Sequence, residues 1–566
     1  MNALRTLVCV LGLAAAGFVR ADGGEFLDAT TLLDSGDPAQ KIDLVFLGDG
    51  FTRDQQDLFN AKVDLAVHEF LNAHPLFALR SAFNIHRVNV ASPESGTDKF
   101  SSCGGESTGD SDQQRRTAMD SGYCAGGGGT VYRCMLTSND ALALDFAARA
   151  PDDNIVIVLV NDSGHGGCAR GPLTFFTIED DFEEMAVHEM GHAIFGLADE
   201  YQYDKEDTYT GAEPTQPNVT RETSRDALKW ADLLLADTAV PTQAHGAACS
   251  VSNLPGRAFP EDIIGTFEGA QYRRCALYRP EYFCRMRESQ RAFCSVCRRQ
   301  IIRTLLPKLS VDQAIRFTEL LIRDDEDPWP RGEGEIYMNY DLRSRDTTVS
   351  GRWPGGGESS FDDDESKTIN VAAGIVPEPA AGASASIALR VREDDWPDGD
   401  DSLENDADEP LPASGPFTID KPDYRLSGDV QPAQLRVLFD TMEIKDDHDG
   451  FFRGAGDIYV EYTVSNGDVT VSGRWPNGDD TVGINDDETE QMAILAAAIP
   501  RPVGDNVLTI TTKVMDQDTF SDDEVGSETF TFGGDTAFGT TQVVHQRDRS
   551  DYRLTLSVVG ATQIIP

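Results

Sequence analysis

Basic residues are scarce in this 566-residue sequence, which has 48 Lys+Arg against 96 Asp+Glu and a formal net charge of −48. A field this negative repels phosphate backbones and anionic lipid surfaces, so nucleic-acid binding is not expected. Long apolar runs are also missing beyond the N-terminus, so no membrane span is expected. With 25% charged and 40% hydrophobic residues, the composition is that of a folded protein, and the length predicts several domains.

The one apolar run at the N-terminus is too short to be a membrane anchor. It covers 7–19, follows Arg5, and leads into Val19-Arg20-Ala21. A membrane span would need about 20 apolar residues. The arrangement is typical of a signal peptide, so we predict a signal peptide at 1–21 and a secreted protein, extracellular or periplasmic.

Cysteine is absent from 298–566, and nine of the ten cysteines lie between Cys103 and Cys297. Since the tenth lies in the predicted signal peptide, nine would remain in the mature chain. In an exported protein they predict up to four disulfides within one domain, with one thiol left over. The alternative is a structural zinc site formed by Cys275, Cys284, Cys294 and Cys297.

The second half of the chain contains an internal repeat. DDEDPWPRGEGEIYMNY at 324–340 aligns with DDHDGFFRGAGDIYVEY at 446–462, and TVSGRWP occurs twice in the same register. Short polar–apolar alternations bounded by Gly, Pro and Asp predict strands in both copies. We therefore predict two antiparallel β-sandwich repeats, at 311–430 and 431–566.

The acidic excess is concentrated in these repeats, because 1–310 has a net charge of −15 and 311–566 has −33. Both repeats gather aspartates into separate loops: Asp324, Asp325, Asp327, Asp362, Asp363, Asp364, Asp394, Asp400 and Asp401, then Asp446, Asp447, Asp449, Asp486, Asp487, Asp516, Asp522 and Asp523. Clustered carboxylates can supply the oxygen ligands of Ca²⁺, so calcium is predicted here, with a solvated acidic surface as the alternative. The repeats are also candidates for binding a surface or glycan target, although Trp353 and Trp475 favour a structural role.

The first half mixes strand and helix patterns. Apolar runs predict strands at 42–47, 84–90 and 154–160, and apolar spacing predicts helices at 53–71 and 182–195. This mixture predicts an α/β catalytic domain at 22–310.

The motif with the clearest chemistry is HEMGHAIFGLADEY at 188–201. His188 and His192 are four residues apart, so a helix places both imidazoles on one face as two Zn²⁺ ligands. Glu189 is predicted to be the general base that accepts a proton from a zinc-activated water.

The third zinc ligand is expected soon after Gly196, where the helix breaks. Asp199 lies three residues after this glycine, the interval found in metzincin-type proteases, and is the preferred candidate. Glu200 is the alternative. The acid that does not bind zinc is expected to cap the helix or to orient a histidine.

Several motifs, in the same order, resemble the IgA-peptidase-type zinc metallopeptidases. They are LVFLGDGFT (44–52), PLF (75–77), FNIHRVNVASPESGTD (83–98), IVLVNDSGHGG (157–167), HEMGHAIFGLADEY (188–201), YRPEYFCRMR (278–287) and FCSVC (293–297). The resemblance covers most of 40–300. It implies a zincin fold and peptide-bond hydrolysis, with His188 and His192 as ligands and Glu189 as base. It also places Met286 where such enzymes have a methionine turn, the alternative being a core methionine.

The sequence therefore predicts a multidomain protein, with an α/β zincin-like catalytic domain followed by two antiparallel β-sandwich repeats. Its predicted function is a secreted zinc endopeptidase acting on a protein or peptide substrate. The alternative is a zinc-containing adhesion or binding protein whose repeats carry the main role. A third hypothesis is a zinc hydrolase of a non-peptide amide.

Overall fold

The structure, a computed structural model, is mostly β-strand with five α-helices in the part of the chain that it describes. The described residues are 23–152, 155–203, 207–245, 249, 263–309, 312–323, 334–345, 347–354, 358–379, 383–393, 401–405, 408–445, 456–467, 470–476, 480–485, 488–500, 502, 507–517, 523–532, 541–544 and 552–560. The predicted signal peptide lies outside them. No helix within these residues is long and apolar enough to cross a membrane.

The chain up to 309 contains all of the described helices and twelve strands. The strands are β1 (Glu25–Leu33), β2 (Ile42–Asp49), β3 (Phe83–Ala91), β4 (Ser102–Cys103), β5 (Glu106–Ser107), β6 (Ser121–Gly122), β7 (Leu136–Thr137), β8 (Ile155–Val160), β9 (Gly167–Arg170), β10 (Leu173–Thr177), β11 (Phe267–Ala270) and β12 (Arg273–Arg279). The helices are α1 (Gln56–Asn72), α2 (Tyr123–Gly126), α3 (Asp140–Ala147), α4 (Phe182–Phe195) and α5 (Ser295–Leu305).

Six of these strands form one mixed sheet in the order β1-β3-β2-β8-β10-β9. The four inner strands are parallel, and β1 and β9 pair antiparallel at the two edges. Side chains of α1 and α4 share one core with one face of the sheet, and α3 shares a second core with the other face. Burial on both faces explains why the inner strands are continuous apolar runs in the sequence.

The five elements predicted in the first half are confirmed. The predicted strands are β2, β3 and β8, and the predicted helices are α1 and α4. Helix α1 begins three residues later than predicted because 53–55 form a separate 3₁₀ turn, capped by Thr52 and Gln55.

Three disulfides lie in the first half: Cys103–Cys124, Cys134–Cys168 and Cys249–Cys275. Three further cysteines, Cys284, Cys294 and Cys297, are buried and unpaired. The prediction of one leftover thiol is therefore wrong, because three thiols are held together in one cluster. The alternative zinc site that included Cys275 is also wrong, since its sulfur is bonded to Cys249.

The second half is built from β-strands that occur in two equivalent sets. The first set is β13 (Asp312–Ile322), β14 (Gly334–Ser344), β15 (Thr347–Trp353), β16 (Ser359–Phe361), β17 (Glu365–Val376), β18 (Ser386–Glu393), β19 (Asp401–Asn405), β20 (Glu409–Pro410), β21 (Gly415–Asp420) and β22 (Tyr424–Ala433). The second is β23 (Leu435–Ile444), β24 (Gly456–Ser465), β25 (Thr470–Trp475), β26 (Val482–Ile484), β27 (Glu488–Ile499), β28 (Leu508–Asp516), β29 (Asp523–Phe532), β30 (Thr541–Val544) and β31 (Tyr552–Gly560).

The main strand order of the sheets is the same in both sets, and the first set has the additional strand β20, which pairs with β18. The sheets β17-β13-β22-β21 and β15-β14-β18-β19 of the first correspond to β27-β23-β31-β30 and β25-β24-β28-β29 of the second. All of these pairs are antiparallel, and in each set the apolar residues of both sheets share one core. The sequence repeat is therefore a repeated, sandwich-like pair of antiparallel sheets.

Most of the aspartates predicted to bind calcium lie outside the described residues. Asp362, Asp363 and Asp364 are described, and the side chain of Asp516 is buried. In the described part of the chain, the two groups of converging metal-ligand atoms both lie before residue 298. Calcium binding thus has no support from the structure and stays a prediction. The structural role favoured for the tryptophans agrees with the packing of Trp475 and Trp353 against the two sandwich cores.

A buried polar cluster joins β23 to the first half of the chain. His74 Nε2 lies 2.5 Å from Asp440 Oδ1, and Ser557 Oγ donates a hydrogen bond to Asp440 Oδ2. Burial lowers the pKa of His74 more than Asp440 raises it. Burial raises the pKa of Asp440, but Arg298 and the bonds from His74 and Ser557 outweigh this and lower it. Both directions favour a neutral His74 that donates to an ionised Asp440.

We expect the free energy of unfolding to fall as the pH drops below about 6.5, the ordinary histidine pKa. Unfolded His74 takes up a proton there that the folded protein does not, which contributes a slope of up to about 1.4 kcal/mol per pH unit. Urea unfolding between pH 5 and 8 should show a shallower slope in His74→Gln than in the unmodified protein. The exposed His68, changed to Gln, serves as control. Equal slopes in all three proteins would contradict this role of His74.

Candidate metal centre and active site

Helix α4 carries the predicted ligands and ends directly after them. Its last residue, Phe195, is followed by Gly196, whose left-handed φ of 64° suits glycine and turns the chain back. Asn218 then holds the returning segment by accepting from the N–H and donating to the C=O of Ala198. Asp199 follows at once, so local backbone geometry brings it to the helix face that carries His188 and His192.

The three side chains converge on one point. The three distances among His188 Nε2, His192 Nε2 and Asp199 Oδ1 are each 3.2 Å. Two nitrogens and an oxygen around a tetrahedral zinc would lie about 3.3 Å apart, given bonds of about 2.0 Å. The donor set and its spacing therefore fit a tetrahedral metal ion.

Backbone carbonyls fix the orientation of both imidazoles. His188 Nδ1 lies 2.8 Å from Arg285 O, and His192 Nδ1 lies 2.7 Å from Leu197 O. A carbonyl can only accept, so each Nδ1 carries the proton and each Nε2 presents its lone pair. Tyr272 donates its hydroxyl to Asp199 Oδ2, which leaves Oδ1 facing the histidines.

The electrostatics of this group favour a cation. Burial lowers the pKa of His192, but its hydrogen bond with Asp199 and the charge of that residue outweigh this and raise the pKa to about 9. Burial raises the pKa of Asp199, but the bonds from both histidines outweigh it and hold this pKa well below its ordinary value. The ionised carboxylate thus draws a proton, or a metal ion in its place, to the point between the imidazoles.

Glu189 stands beside this group rather than in it. Its side chain is 8% exposed and lines the same cleft as the histidines. A Cβ on Gly167, in the edge strand β9, would lie 2.9 Å from Glu189 Oε1, so the glycine leaves room for this carboxylate. Glu189 is therefore held between the ligand group and the edge of the sheet.

Glu200 points away from the histidines and is fully buried. Its Oε1 accepts from Asn218 Nδ2 at 2.8 Å and lies 3.3 Å from Cys297 Sγ. The structure thus brings Asp199 to His188 and His192, and Glu200 to a cysteine cluster. The two consecutive acids therefore belong to different groups of converging ligand atoms.

Met286 lies beneath α4 in the main core. A Cβ on Gly191 would come within 2.8 Å of its sulfur, so the glycine allows this close contact. The backbone N–H of Glu200 donates to Met286 O at 2.7 Å. Met286 is therefore a core methionine that also supports the segment carrying Asp199.

A cleft of about 860 Å³ opens over the ligand group. One wall is an aromatic and basic cluster in which Arg133 donates to the hydroxyls of Tyr201 and Tyr203. Tyr203 in turn stacks on Tyr272. The prediction for the site did not include Arg133, Tyr272 or Asn218, because no motif surrounds them and they reach the site only through the fold.

Comparison with known protein families finds a match to the first half of the chain. Residues 30–249 and 253–305 match the family model described as IgA Peptidase M64. No curated protein matches the chain.

Similarity to solved structures is low. Human GIVD cytosolic phospholipase A2 is 11% identical with a TM-score of 0.17, over 44% of this chain and 32% of that chain. A calcium-bound two-domain structure of Extended-Synaptotagmin 2 is 13% identical with a TM-score of 0.17, over 44% of this chain and 95% of that chain. The chain thus spans about a third of the phospholipase.

Proposed function

The first half of this chain belongs to the IgA Peptidase M64 family, and from this premise we propose a secreted zinc endopeptidase with a zincin-like catalytic core. One observation carries the proposal. The two histidine Nε2 atoms and Asp199 Oδ1 converge, 3.2 Å apart, at an open cleft that Glu189 also lines. The proposed zinc ligands are His188, His192 and Asp199.

These donors suit zinc at a catalytic position. Catalytic zinc sites have three protein ligands of the nitrogen and oxygen type and leave a fourth position for water or substrate. Bound Zn²⁺ would supply Lewis acidity, which polarises a carbonyl and lowers the pKa of a water molecule.

Glu189 is proposed to be the general base. It accepts the proton of the attacking water and then donates it to the leaving amine. Its burial restricts competing solvent and keeps the carboxylate close to the cleft. Gly167 leaves the space that this carboxylate needs.

The edge of the mixed sheet is proposed to bind the substrate backbone. The sheet ends at β9, which contains Gly167 and lies beside Glu189. Gly167 N–H already donates to Arg133 O at 3.0 Å, so an extended peptide would add to the edge beyond this bond through main-chain hydrogen bonds, with its scissile bond next to the ligand group. The side chain of Arg133, together with Tyr201 and Tyr203 to which it donates, is then available for side chains of the substrate.

The three disulfides support the secreted part of the proposal, because such bonds persist in oxidising compartments. We propose a catalytic domain at 22–310, followed by repeats at 311–430 and 431–566. A surface or glycan target of the repeats stays a prediction. The adhesion-protein alternative is not favoured, because the family match and the complete donor set beside Glu189 both favour hydrolysis.

Metal removal tests this proposal. We expect 1,10-phenanthroline to lower casein hydrolysis by about 1,000-fold or more, because such a metal contributes several kcal/mol to the transition state. Stoichiometric zinc should restore activity in a zymogram or fluorescent-casein assay, whereas calcium alone should not. Hydrolysis that persists in the chelator would contradict a zinc enzyme.

A further inference from the structure

A second group of metal-ligand atoms lies behind the catalytic site. We propose that Cys284, Cys294, Cys297 and Glu200 form a closed, structural Zn²⁺ site. All four residues are buried, and one ligand atom from each lies within 4.8 Å of the others. Three sulfurs and one carboxylate oxygen complete a four-coordinate set, so this site has no position for substrate.

The spacing of the atoms matches a tetrahedral zinc. With Zn–S bonds of about 2.3 Å, two sulfurs lie about 3.8 Å apart, and a sulfur and a carboxylate oxygen about 3.5 Å apart. The distance from Cys284 Sγ to Cys297 Sγ is 3.7 Å. Glu200 Oε1 lies 3.7 Å from Cys294 Sγ and 3.3 Å from Cys297 Sγ.

Glu200 is the observation that points to a cation rather than to a thiol cluster alone. Its side chain is 0% exposed, and its Oε2 has no hydrogen-bond partner among the described residues. A buried carboxylate with an unsatisfied oxygen is costly unless a charge or a metal compensates it. The charge of Arg279 also acts on Glu200, but the groups that converge with it at ligand distance are the three cysteine sulfurs, which as thiolates would repel the carboxylate without a cation between them.

The local backbone prepares the sulfurs as ligands. Cys294 is the N-cap of α5 and accepts from the N–H of Cys297 at 3.4 Å. Cys284 Sγ accepts from the N–H of Cys294 at 3.3 Å and from that of Met286 at 3.5 Å. Backbone donors and the positive end of a helix stabilise thiolates, the form that binds metal.

Cysteine pairing in the rest of the first half supports a bound metal. The six other described cysteines form disulfides, so the chain is built for an oxidising compartment. Three buried thiols left together in such a compartment need protection from oxidation, and a zinc ion provides it. The metal also accounts for the odd number of cysteines between 103 and 297.

The position of this site suggests what it stabilises. Glu200 adjoins Asp199, and the cysteines lie in the segment after β12 and at the start of α5. A zinc ion here would link the segment after α4 to the segment after β12 and to the start of α5. These links would hold Asp199 opposite the histidines.

The test uses the full-length double variant His188→Ala/His192→Ala, which removes the proposed catalytic site only. We expect its zinc content, measured by inductively coupled plasma mass spectrometry, to fall from about two ions per chain to about one. Unfolding with EDTA should then release the remaining zinc and about three thiols that react with Ellman's reagent. Cobalt exchanged into this variant should give the near-ultraviolet absorption of thiolate-to-metal charge transfer.

Further variants separate the two proposals. Adding Cys297→Ser to the double variant should remove the remaining ion. As a control in the otherwise unmodified chain, His165→Ala should keep both ions, because His165 lines the cleft but is not one of the converging ligand residues. A double variant with no zinc but three reactive thiols would overturn the proposal. So would a single reactive thiol, because the cluster would then contain a disulfide. Both outcomes leave the proposed peptidase function intact, whereas that function fails if the double variant still hydrolyses casein.

Discussion

Changing Glu189 to alanine is expected to lower kcat for peptide hydrolysis by about 1,000-fold while the zinc content stays the same. General base catalysis contributes about 10²- to 10⁴-fold, and this carboxylate is the group that the structure holds beside the three proposed ligands. Glu189 is not one of the converging ligand residues, so its removal leaves the donors of the metal in place.

The measurement combines a quenched-peptide assay with zinc analysis of the same protein. Glu288→Gln is a matched control, because Glu288 is another carboxylate that lines the cleft. It should change kcat by no more than a few-fold. Full activity in Glu189→Ala would exclude the general-base role. Loss of zinc together with activity would instead assign Glu189 to the ligand set.

Changing Asp312 to alanine is expected to destabilise the protein by about 3–5 kcal/mol, because it leaves a buried arginine without its counter-charge. Asp312 Oδ2 lies 2.5 Å from a terminal nitrogen of Arg436, and both side chains are buried. Ser81 Oγ donates to the same carboxylate oxygen. Lys41 is close enough that its charge also acts on Asp312. The contact therefore joins β13, β23 and the first half of the chain.

Urea unfolding of the full chain measures this effect. The double variant Asp312→Ala/Arg436→Met should recover most of the lost stability, since it removes both charges and keeps an apolar side chain in the same space. As a surface control, Asp420→Ala should cost much less stability, because this carboxylate pairs with Arg323 and Arg425 on an exposed face. A small loss in Asp312→Ala, similar to that of the surface control, would contradict a central role for this junction.

The spacing of residues along the sequence and its internal repeat were enough to predict much of the architecture. The four-residue interval between His188 and His192 implied one helix face, and both lie on α4 with their Nε2 atoms 3.2 Å apart. The repeated motifs implied two equivalent β units, and the two sets of sheets have the same strand order. Both predictions depend on local geometry, in which the sequence interval alone sets where a side chain points.

The choice between Asp199 and Glu200 could not be made from the sequence. Both follow Gly196 closely, and both have a carboxylate that zinc could accept. The fold separates them because it brings Asp199 to the two histidines and Glu200 to the three cysteines. Asn218 and Met286, which are distant in sequence, hold that segment in place.

The pairing of the cysteines also could not be predicted from the sequence. The sequence by itself determined that the cysteines belong to the first half and that many of them are bridged. Tertiary structure decided that Cys275 pairs with Cys249, while Cys284, Cys294 and Cys297 gather around Glu200. The physical reason is that a disulfide or a metal site depends on the distances between atoms in the folded chain. Its members come from separate loops, and only the packing of α4, α5 and the strands between them brings those loops together.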